Sequence, residues 1–176
     1  MSENEVLQAI RERRCVRKFS DKPVPRELIE KVVEAGLWAP SGMGRQSSIV
    51  LAVTDSKVRN RLAEANRKVM GAPEGTDPFY GAPVVLVVLA DANCPTAVED
   101  GSVTLENMLL AAHSLGLGGC WIHRARQEFE QPEFKELLVK LGVKGDYIGV
   151  GHCILGWPDQ VPEVKPRRDG RVFWVE

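Results

Sequence analysis

The chain has 176 residues, of which 44% are hydrophobic and 27% charged, and its formal net charge is −1. This length suffices for one hydrophobic core, and the mixed composition excludes a disordered or fibrous chain. Because acidic and basic residues nearly balance, no long-range field favours nucleic acid or a membrane surface. The longest apolar run, over residues 82–90, is too short to cross a bilayer. We therefore expect a cytoplasmic protein with one domain over residues 1–176 that binds neither nucleic acid nor membrane.

The cysteines and histidines give no sign of a disulfide framework or a metal site. The cysteines are far apart in the chain and form no Cys-x-x-Cys pair, and the three histidines lack metal-type spacing. The sequence predicts reduced thiols and no bound metal.

Hydrophobic periodicity and helix-capping residues predict helices and strands in an irregular order. In chain order they are a helix ending near Arg13, a helix opened by Pro25 and closed by Pro40, a strand over 49–53, a helix capped by Ser56, a strand over 82–90, a long helix over 97–115, a strand at 120–122, a helix over 134–141, and strands over 147–155 and 172–175. The strand over 82–90 is apolar throughout, which predicts a central position covered on both faces. This order favours an α+β sandwich with a mixed or antiparallel central sheet over a doubly wound sheet.

Three glycine-containing segments resemble ligand-binding motifs but do not complete them. The glycines at 116–119 follow a helix, whereas a dinucleotide fingerprint follows a strand. The segment 151–156 has the glycine spacing of a phosphate loop but lacks its Lys and hydroxyl residue. Ser41 lacks the glycine two positions earlier that a hydrolase elbow requires. Kinase and hydrolase chemistry are therefore unsupported.

Two basic clusters remain to be explained. Arg13, Arg14 and Arg17 follow the first predicted helix, and a second cluster occupies residues 165–168. The planar guanidinium group pairs with phosphate oxygens through two parallel hydrogen bonds, so two clusters that converge would suit a terminal phosphate. A solvated basic face is the alternative explanation of the same pattern.

Four segments, taken in order, resemble the landmarks of FMN-dependent nitroreductases. They are Arg13-Arg14-Cys15-Val16-Arg17-Lys18-Phe19, Ala39-Pro40-Ser41-Gly42-Met43-Gly44-Arg45-Gln46, Leu115-Gly116-Leu117-Gly118-Gly119-Cys120-Trp121-Ile122, and Leu155-Gly156-Trp157-Pro158 with Lys165-Pro166-Arg167. The resemblance implies a homodimeric α+β fold, a three-layer sandwich whose mostly antiparallel or mixed sheet is flanked by helices. It also implies that the C-terminal segment, about residues 158–176, extends onto the partner subunit.

The resemblance assigns roles at the cofactor to particular residues. The phosphate and ribityl chain of FMN would contact Arg13, Arg14, Cys15, Arg17, Lys165 and Arg167. The partner subunit would cover the flavin with Pro40, Ser41, Gly42 and Gln46. The chain departs from the family pattern at Cys15, which replaces the usual serine, at Gly44, which replaces asparagine, and at Ser47-Ser48, which replace Pro-Trp.

Further residues would contact the flavin ring. Asn66 matches a family asparagine that binds the pyrimidine edge of the ring. The segment Trp121, Ile122, His123 and Arg124 resembles the one that packs on a ring face and offers backbone N–H groups toward N5. No side chain is expected to act as a catalytic acid or base.

The resemblance implies an NAD(P)H-dependent FMN oxidoreductase. A hydride would pass from NADH or NADPH through flavin N5 to a nitroaromatic, quinone or similar small acceptor by a ping-pong mechanism. The alternatives are a flavin-binding redox sensor without turnover and another chemistry of the same fold, namely dehalogenation, enone reduction or flavin fragmentation.

Overall fold

The computed structural model describes residues 4–160 and 162–176. In chain order the elements are α1 (Glu5–Glu12), α2 (Arg26–Leu37), a 3-10 turn (Gly42–Gly44), β1 (Ser48–Val53), α3 (Ser56–Met70), β2 (Val84–Asp91), α4 (Ala97–Ser114), β3 (Gly118–Ile122), α5 (Ala125–Phe129), α6 (Pro132–Lys140) and β4 (Tyr147–Gly156). The α+β class predicted from the sequence is confirmed. No helix in these described ranges is long and apolar enough to span a membrane.

The strands of the described residues form one sheet in the order β1-β2-β4-β3. All three neighbouring pairs are antiparallel. β2 is hydrogen-bonded on both sides, which confirms the central position predicted from its uninterrupted apolar sequence. Its side chains point alternately to the two faces of the sheet, and burial of both faces explains why residues 84–90 are all apolar.

Successive residues of β2 point to opposite faces of the sheet and enter two hydrophobic cores. The first core takes alternate β2 side chains, beginning with Val84, and packs them against α2 and α4. The second takes the intervening side chains, beginning with Val85, and packs them against α3, α5 and α6. The sheet is therefore buried under helices on each face.

Helix α5 lies against β4 at a point where a glycine is required. A Cβ atom at Gly149 would be 2.2 Å from the carbonyl oxygen of Ala125, which is backbone and cannot move aside independently of the helix. This contact brings the start of α5 directly onto the sheet. The turn between β3 and α5 is consequently held close to β4.

The sequence-based prediction was wrong at the C-terminus and incomplete at two short elements. Residues 172–175 form no strand, and Phe173, Trp174 and Val175 are 87%, 83% and 99% exposed. The apolar pattern there has no neighbouring strand to pair with in this chain. Helix α5 and the 3-10 turn are too short to generate a periodic pattern. Helix α3 is capped by Asp55, which accepts a hydrogen bond from the Val58 amide, rather than by Ser56.

Candidate functional site

A cavity of about 540 Å³, here called the arginine groove, lies where α1 ends beside α4 and the strand β3. Its lining residues are Arg11, Glu12, Arg13, Arg14, Val16, Leu109, His113, Gly116, Leu117, Gly119, Pro158, Gln160, Pro162 and Val164. Two of the predicted phosphate ligands, Arg13 and Arg14, are thus brought to one cavity.

Arg13 has a donor available for a ligand. Its Nε lies 3.7 Å from Glu106 on α4, and the side chain is only 21% exposed. Its Nη1 is buried and has no hydrogen-bond partner among residues 4–160 and 162–176. A buried donor without a partner costs about 1–3 kcal/mol, so an anion in the groove would recover that energy. Arg14 instead bonds the carbonyl oxygens of Arg11 and Arg13 at 2.5 and 2.7 Å.

The electrostatic environment next to the groove favours negative charge. A hydrogen bond from the Cys120 thiol lowers the pKa of Cys15 to about 5, despite partial burial. The guanidinium groups of Arg13 and Arg17 act in the same direction. An environment that stabilises a thiolate also stabilises a phosphate. Arg17 itself is exposed, and its guanidinium lies 5.9 Å from the centre of the Tyr80 ring.

The predicted ring-contacting segment lies in the turn between β3 and α5. Trp121 is half-buried and packs on β4, where a Cβ at Gly151 would be 2.5 Å from its Nε1. Ile122 is buried, and His123 is exposed. Arg124 has a left-handed backbone with φ of 82°. The turn therefore has a buried side and an exposed side.

A fully buried polar network supports this turn from behind. Asn66 on α3 donates from Nδ2 to the His123 carbonyl at 2.8 Å and to Glu128 Oε1 at 2.5 Å. His152 on β4 places Nδ1 3.1 Å from the Ile122 carbonyl and Nε2 3.0 Å from Glu128 Oε2. The side chains of Asn66, Glu128 and His152 are all inaccessible to solvent.

The partners determine the protons of this network. A carbonyl oxygen only accepts, so Nδ1 of His152 carries a proton and donates it to Ile122. One further proton lies between Nε2 and Glu128. Whether that proton resides on nitrogen or oxygen, the pair has no net charge. Charge neutrality and complete pairing allow His152 and Glu128 to remain in an apolar core.

The network also orients the backbone of the turn. His152 and Asn66 bond the carbonyl groups of Ile122 and His123, so both carbonyl groups point into the core. The peptide bonds of the described residues are all trans. In a trans peptide the N–H points opposite to the C=O of the same unit. The N–H groups of His123 and Arg124 therefore point away from the network.

The contact of Asn66 with a flavin edge stays a prediction. Its side chain has no exposure and its amide nitrogen is bonded within the core, whereas its Oδ1 has no hydrogen-bond partner among the described residues. Asn66 lies on the buried face of α3, which packs against the core side of the β3–α5 turn. Sequence reasoning missed Glu128 and His152; the only signal was a polar residue within the otherwise apolar strand predicted over 147–155.

The loop that contains Ser41 is anchored to α4 by Asp100. Asp100 accepts hydrogen bonds from the Gly42 amide at 2.9 Å and the Ser47 hydroxyl at 2.5 Å. Burial raises the pKa of Asp100, but these hydrogen bonds outweigh burial and hold the pKa below its ordinary value. Ser41 Oγ in turn accepts from the Gln46 amide at 2.9 Å. The loop is thus closed upon itself and fastened to the helix.

The predicted partner-covering residues line a different cavity from the arginines. This cavity, here called the α2 groove, measures about 830 Å³ and is lined by α2 and by Pro40, Ser41 and Gln46. Gly42 packs closely against Thr96: a Cβ atom at position 42 would lie 2.2 Å from Thr96 Oγ1. Within one chain the structure does not bring the two predicted sets into one cavity. Both sets contact α4, through Asp100 and Glu106, which are about 9 Å apart along the helix.

Backbone strain is confined to the same segments. Among residues 4–160 and 162–176, the non-glycine residues with positive φ are Met43, Gln46, Tyr80 and Arg124. Two lie in the Ser41 loop, one lies under Arg17, and one lies in the β3–α5 turn. Such strain costs about 1–3 kcal/mol per residue and often marks functional sites.

The second basic cluster lies on the C-terminal tail. Val164 lines the arginine groove, whereas Lys165 and Arg167 are exposed. Within this chain, Lys165 and Arg167 therefore do not line the cavity that Arg13 and Arg14 line.

Comparison with known proteins identifies the family. The model of the nitroreductase family matches residues 10–157. The chain belongs to the nitroreductase family. An NADPH-flavin oxidoreductase of Vibrio harveyi is 36% identical over 179 aligned positions, which cover 96% of this chain and 72% of that protein. A relative from Methanothermobacter thermautotrophicus is 34% identical over 125 positions, 69% of this chain, and the chain spans 62% of its length.

A solved structure supports the same assignment. The crystal structure of a nitroreductase with bound FMN from Bacteroides fragilis superposes with a TM-score of 0.87 at 30% identity, and the match covers 98% of this chain and 100% of that one. The nitroreductase resemblance inferred from the four sequence segments is confirmed.

Replacing Glu128 tests the buried network. We expect Glu128→Leu to lower the free energy of unfolding by about 3–5 kcal/mol, because it leaves buried donors of Asn66 and His152 without an acceptor. Glu133→Leu on α6 is the control, since Glu133 forms an exposed ion pair with Arg61 worth at most about 1 kcal/mol. Urea denaturation measures both. Similar losses for the two variants would contradict the role assigned to the network.

Proposed function

We propose that this nitroreductase-family chain is an FMN-dependent oxidoreductase that uses NADH or NADPH to reduce a small acceptor such as a nitroaromatic or a quinone. FMN held by the arginine groove and the β3–α5 turn would supply the hydride-transfer chemistry between the nicotinamide and the acceptor. The observation that carries the proposal is the unpaired, buried Nη1 of Arg13 beside the arginine groove.

The residues of the arginine groove suit the phosphate end of FMN. Arg13 supplies a buried donor, and Arg14 contributes a second guanidinium to the same cavity. Cys15 and Arg17 follow in the chain, and the charges of Arg13 and Arg17 add to the larger effect of the Cys120 hydrogen bond in lowering the pKa of Cys15. We propose that Lys165 and Arg167 on the tail complete this site. The similar B. fragilis structure, which contains FMN, supports the assignment.

The β3–α5 turn suits a hydrogen-bond acceptor on the flavin ring. The N–H groups of His123 and Arg124 point away from the buried network, and His152 and Asn66 fix the two carbonyl groups behind them. Donors held in place before a ligand arrives need no reorganisation, which is the main electrostatic contribution of a protein to such chemistry. We propose that Trp121 and Ile122 support the ring from this segment, with no side chain acting as acid or base.

We propose that the working unit is a homodimer of a three-layer sandwich, in which Pro40, Ser41, Gly42 and Gln46 cover the flavin of the partner. Two groups of exposed apolar residues support this. Leu37, Trp38 and Met43 flank the Ser41 loop, and Phe173, Trp174 and Val175 lie on the tail. Exposed apolar groups of this size usually mark an interface. One domain per chain and a cytoplasmic location remain part of the proposal.

Arg13→Ala should weaken FMN binding. Loss of a charge-assisted contact to phosphate removes about 1.5–3 kcal/mol, or about one to two decades in affinity. Titration of flavin fluorescence measures the dissociation constant.

Arg61→Ala serves as the control for that titration, because Arg61 is exposed and pairs only with Glu133 among the contacts of the described residues. Arg59 on the same helix is unsuitable, since it bonds Asp77 and the Ala82 carbonyl. Equal weakening by Arg13→Ala and Arg61→Ala would show that net charge, and not the groove, determines affinity.

Turnover should follow a substituted-enzyme cycle. One site that serves donor and acceptor in turn predicts parallel double-reciprocal lines when NADH or NADPH oxidation is measured at several fixed quinone concentrations. A protein that is colourless and takes up no added FMN would refute the proposed function. A protein that binds FMN but is reduced by neither nicotinamide would favour the sensor without turnover.

Removing the apolar tail residues should weaken the dimer. We expect the double variant Phe173→Ser, Trp174→Ser to raise the dissociation constant of the dimer at least tenfold. A loss of about 1.4 kcal/mol of binding free energy, from apolar surface no longer buried in the dimer, is enough for that change. Sedimentation velocity over a concentration series measures it. Val139→Ser, at a 74% exposed position on α6, is the matched control. A wild-type chain that stays monomeric with flavin bound would contradict the dimer.

A further inference from the structure

Cys15 and Cys120 both lie beside Gly119, which lines the arginine groove. Cys15 pairs with Gly119 through an isolated parallel bridge, in which the Val16 amide donates to the Gly119 carbonyl at 3.0 Å. This bridge brings Cys15 next to Cys120, and both side chains join the core on the α3 and α5 side of the sheet. The Cys120 thiol donates a hydrogen bond to the Cys15 sulfur. The Trp121 carbonyl, 3.6 Å from Cys120 Sγ, is a second acceptor within its reach.

The two thiols are not equivalent. Cys15 is half-buried, and Arg13 and Arg17 stabilise its thiolate, which is the reactive form of cysteine. Cys120 is only 2% exposed, and its contact with Cys15 raises its pKa. A reachable thiolate beside a protected thiol matches an attacking cysteine and its resolving partner. By contrast, burial raises the pKa of Cys153 to about 12, which leaves that thiol unreactive.

We propose that Cys15 and Cys120 are a peroxide-reactive thiol pair that forms a disulfide when the arginine groove holds no phosphate group, and that a phosphate group in the groove protects the pair. Only the identity of FMN as the natural phosphate-bearing ligand rests on the proposed function. The placement of Cys15 beside Cys120 does not depend on it.

The reaction balances with hydrogen peroxide as the oxidant. The Cys15 thiolate attacks one peroxide oxygen, the O–O bond breaks, and hydroxide leaves to give a sulfenic acid on Cys15. The Cys120 sulfur then attacks the Cys15 sulfur, the S–O bond breaks, and water leaves with the proton of the Cys120 thiol. Two thiols are oxidised to one disulfide, and one peroxide is reduced to two waters.

Protection follows from competition for the same positive charges. A thiolate at Cys15 and a phosphate in the groove are both anions, and both are stabilised by Arg13. A bound phosphate group therefore disfavours the thiolate.

The test is oxidation of the full-length chain with hydrogen peroxide. Three samples are compared: without ligand, with inorganic phosphate, and with FMN at ten times its dissociation constant. We expect loss of two thiols and a peptide map in which Cys15 is linked to Cys120. Phosphate should slow the loss, and FMN should slow it about tenfold, in proportion to the occupied fraction. Cys94→Ser is the matched control and should still form the link, whereas Cys120→Ser should stop at a sulfenic acid on Cys15.

Two results would overturn the inference. One is oxidation of Cys15 to a sulfinic acid while Cys120 remains a thiol, which would show that the pair does not resolve. The other is an equal rate of disulfide formation in all three samples, which would show that the groove does not protect the thiols. A disulfide that phosphate retards, in a chain that binds no FMN, would support the thiol pair and refute the proposed function.

Discussion

The hydrogen bonds between His152, Glu128 and the backbone of the β3–α5 turn are the constraint on which the rest of the candidate site depends. They join α3, α5, β3 and β4 at one buried point, where an unpaired group would cost several kcal/mol. The backbone therefore has one low-energy arrangement there, with carbonyl groups inward and amide groups outward. The left-handed Arg124 is tolerated because the surrounding structure determines the path of the chain.

Helix α4 plays the corresponding role for the charged parts of the site. Asp100 anchors the Ser41 loop, and Glu106 faces Arg13. Glu106 is 49% exposed and 3.7 Å from Arg13, so it offsets little of the positive charge. A chain whose formal net charge is −1 thus retains a local group of arginines at this groove. The net charge excluded a nucleic-acid surface but had no bearing on this groove.

Elements with long, regular patterns could be predicted from the sequence, and contacts between distant polar residues could not. The bounds of the central strand β2 and of the helix α4 were predicted within a few residues, because their buried positions carry apolar residues in a recognisable pattern along the sequence. Arg13 and Arg14 were located because arginine clusters are uncommon in a nearly neutral chain. Asp100, Glu128 and His152 were missed, since each gains its role from a partner at least 24 residues away.

The departures from the family pattern change the chemistry of the site more than its shape. Gly44 has φ of 65° and open space where a Cβ would lie. Asparagine tolerates this left-handed conformation better than most residues, so the loop path is compatible with the family's usual asparagine as well as with glycine. Hydrogen bonds from the Gly42 amide to Asp100 and from the Gln46 amide to Ser41 Oγ fix that path independently of residue 44. A glycine at this position thus leaves the course of the loop unchanged and adds no side chain to the α2 groove, which residue 44 lines.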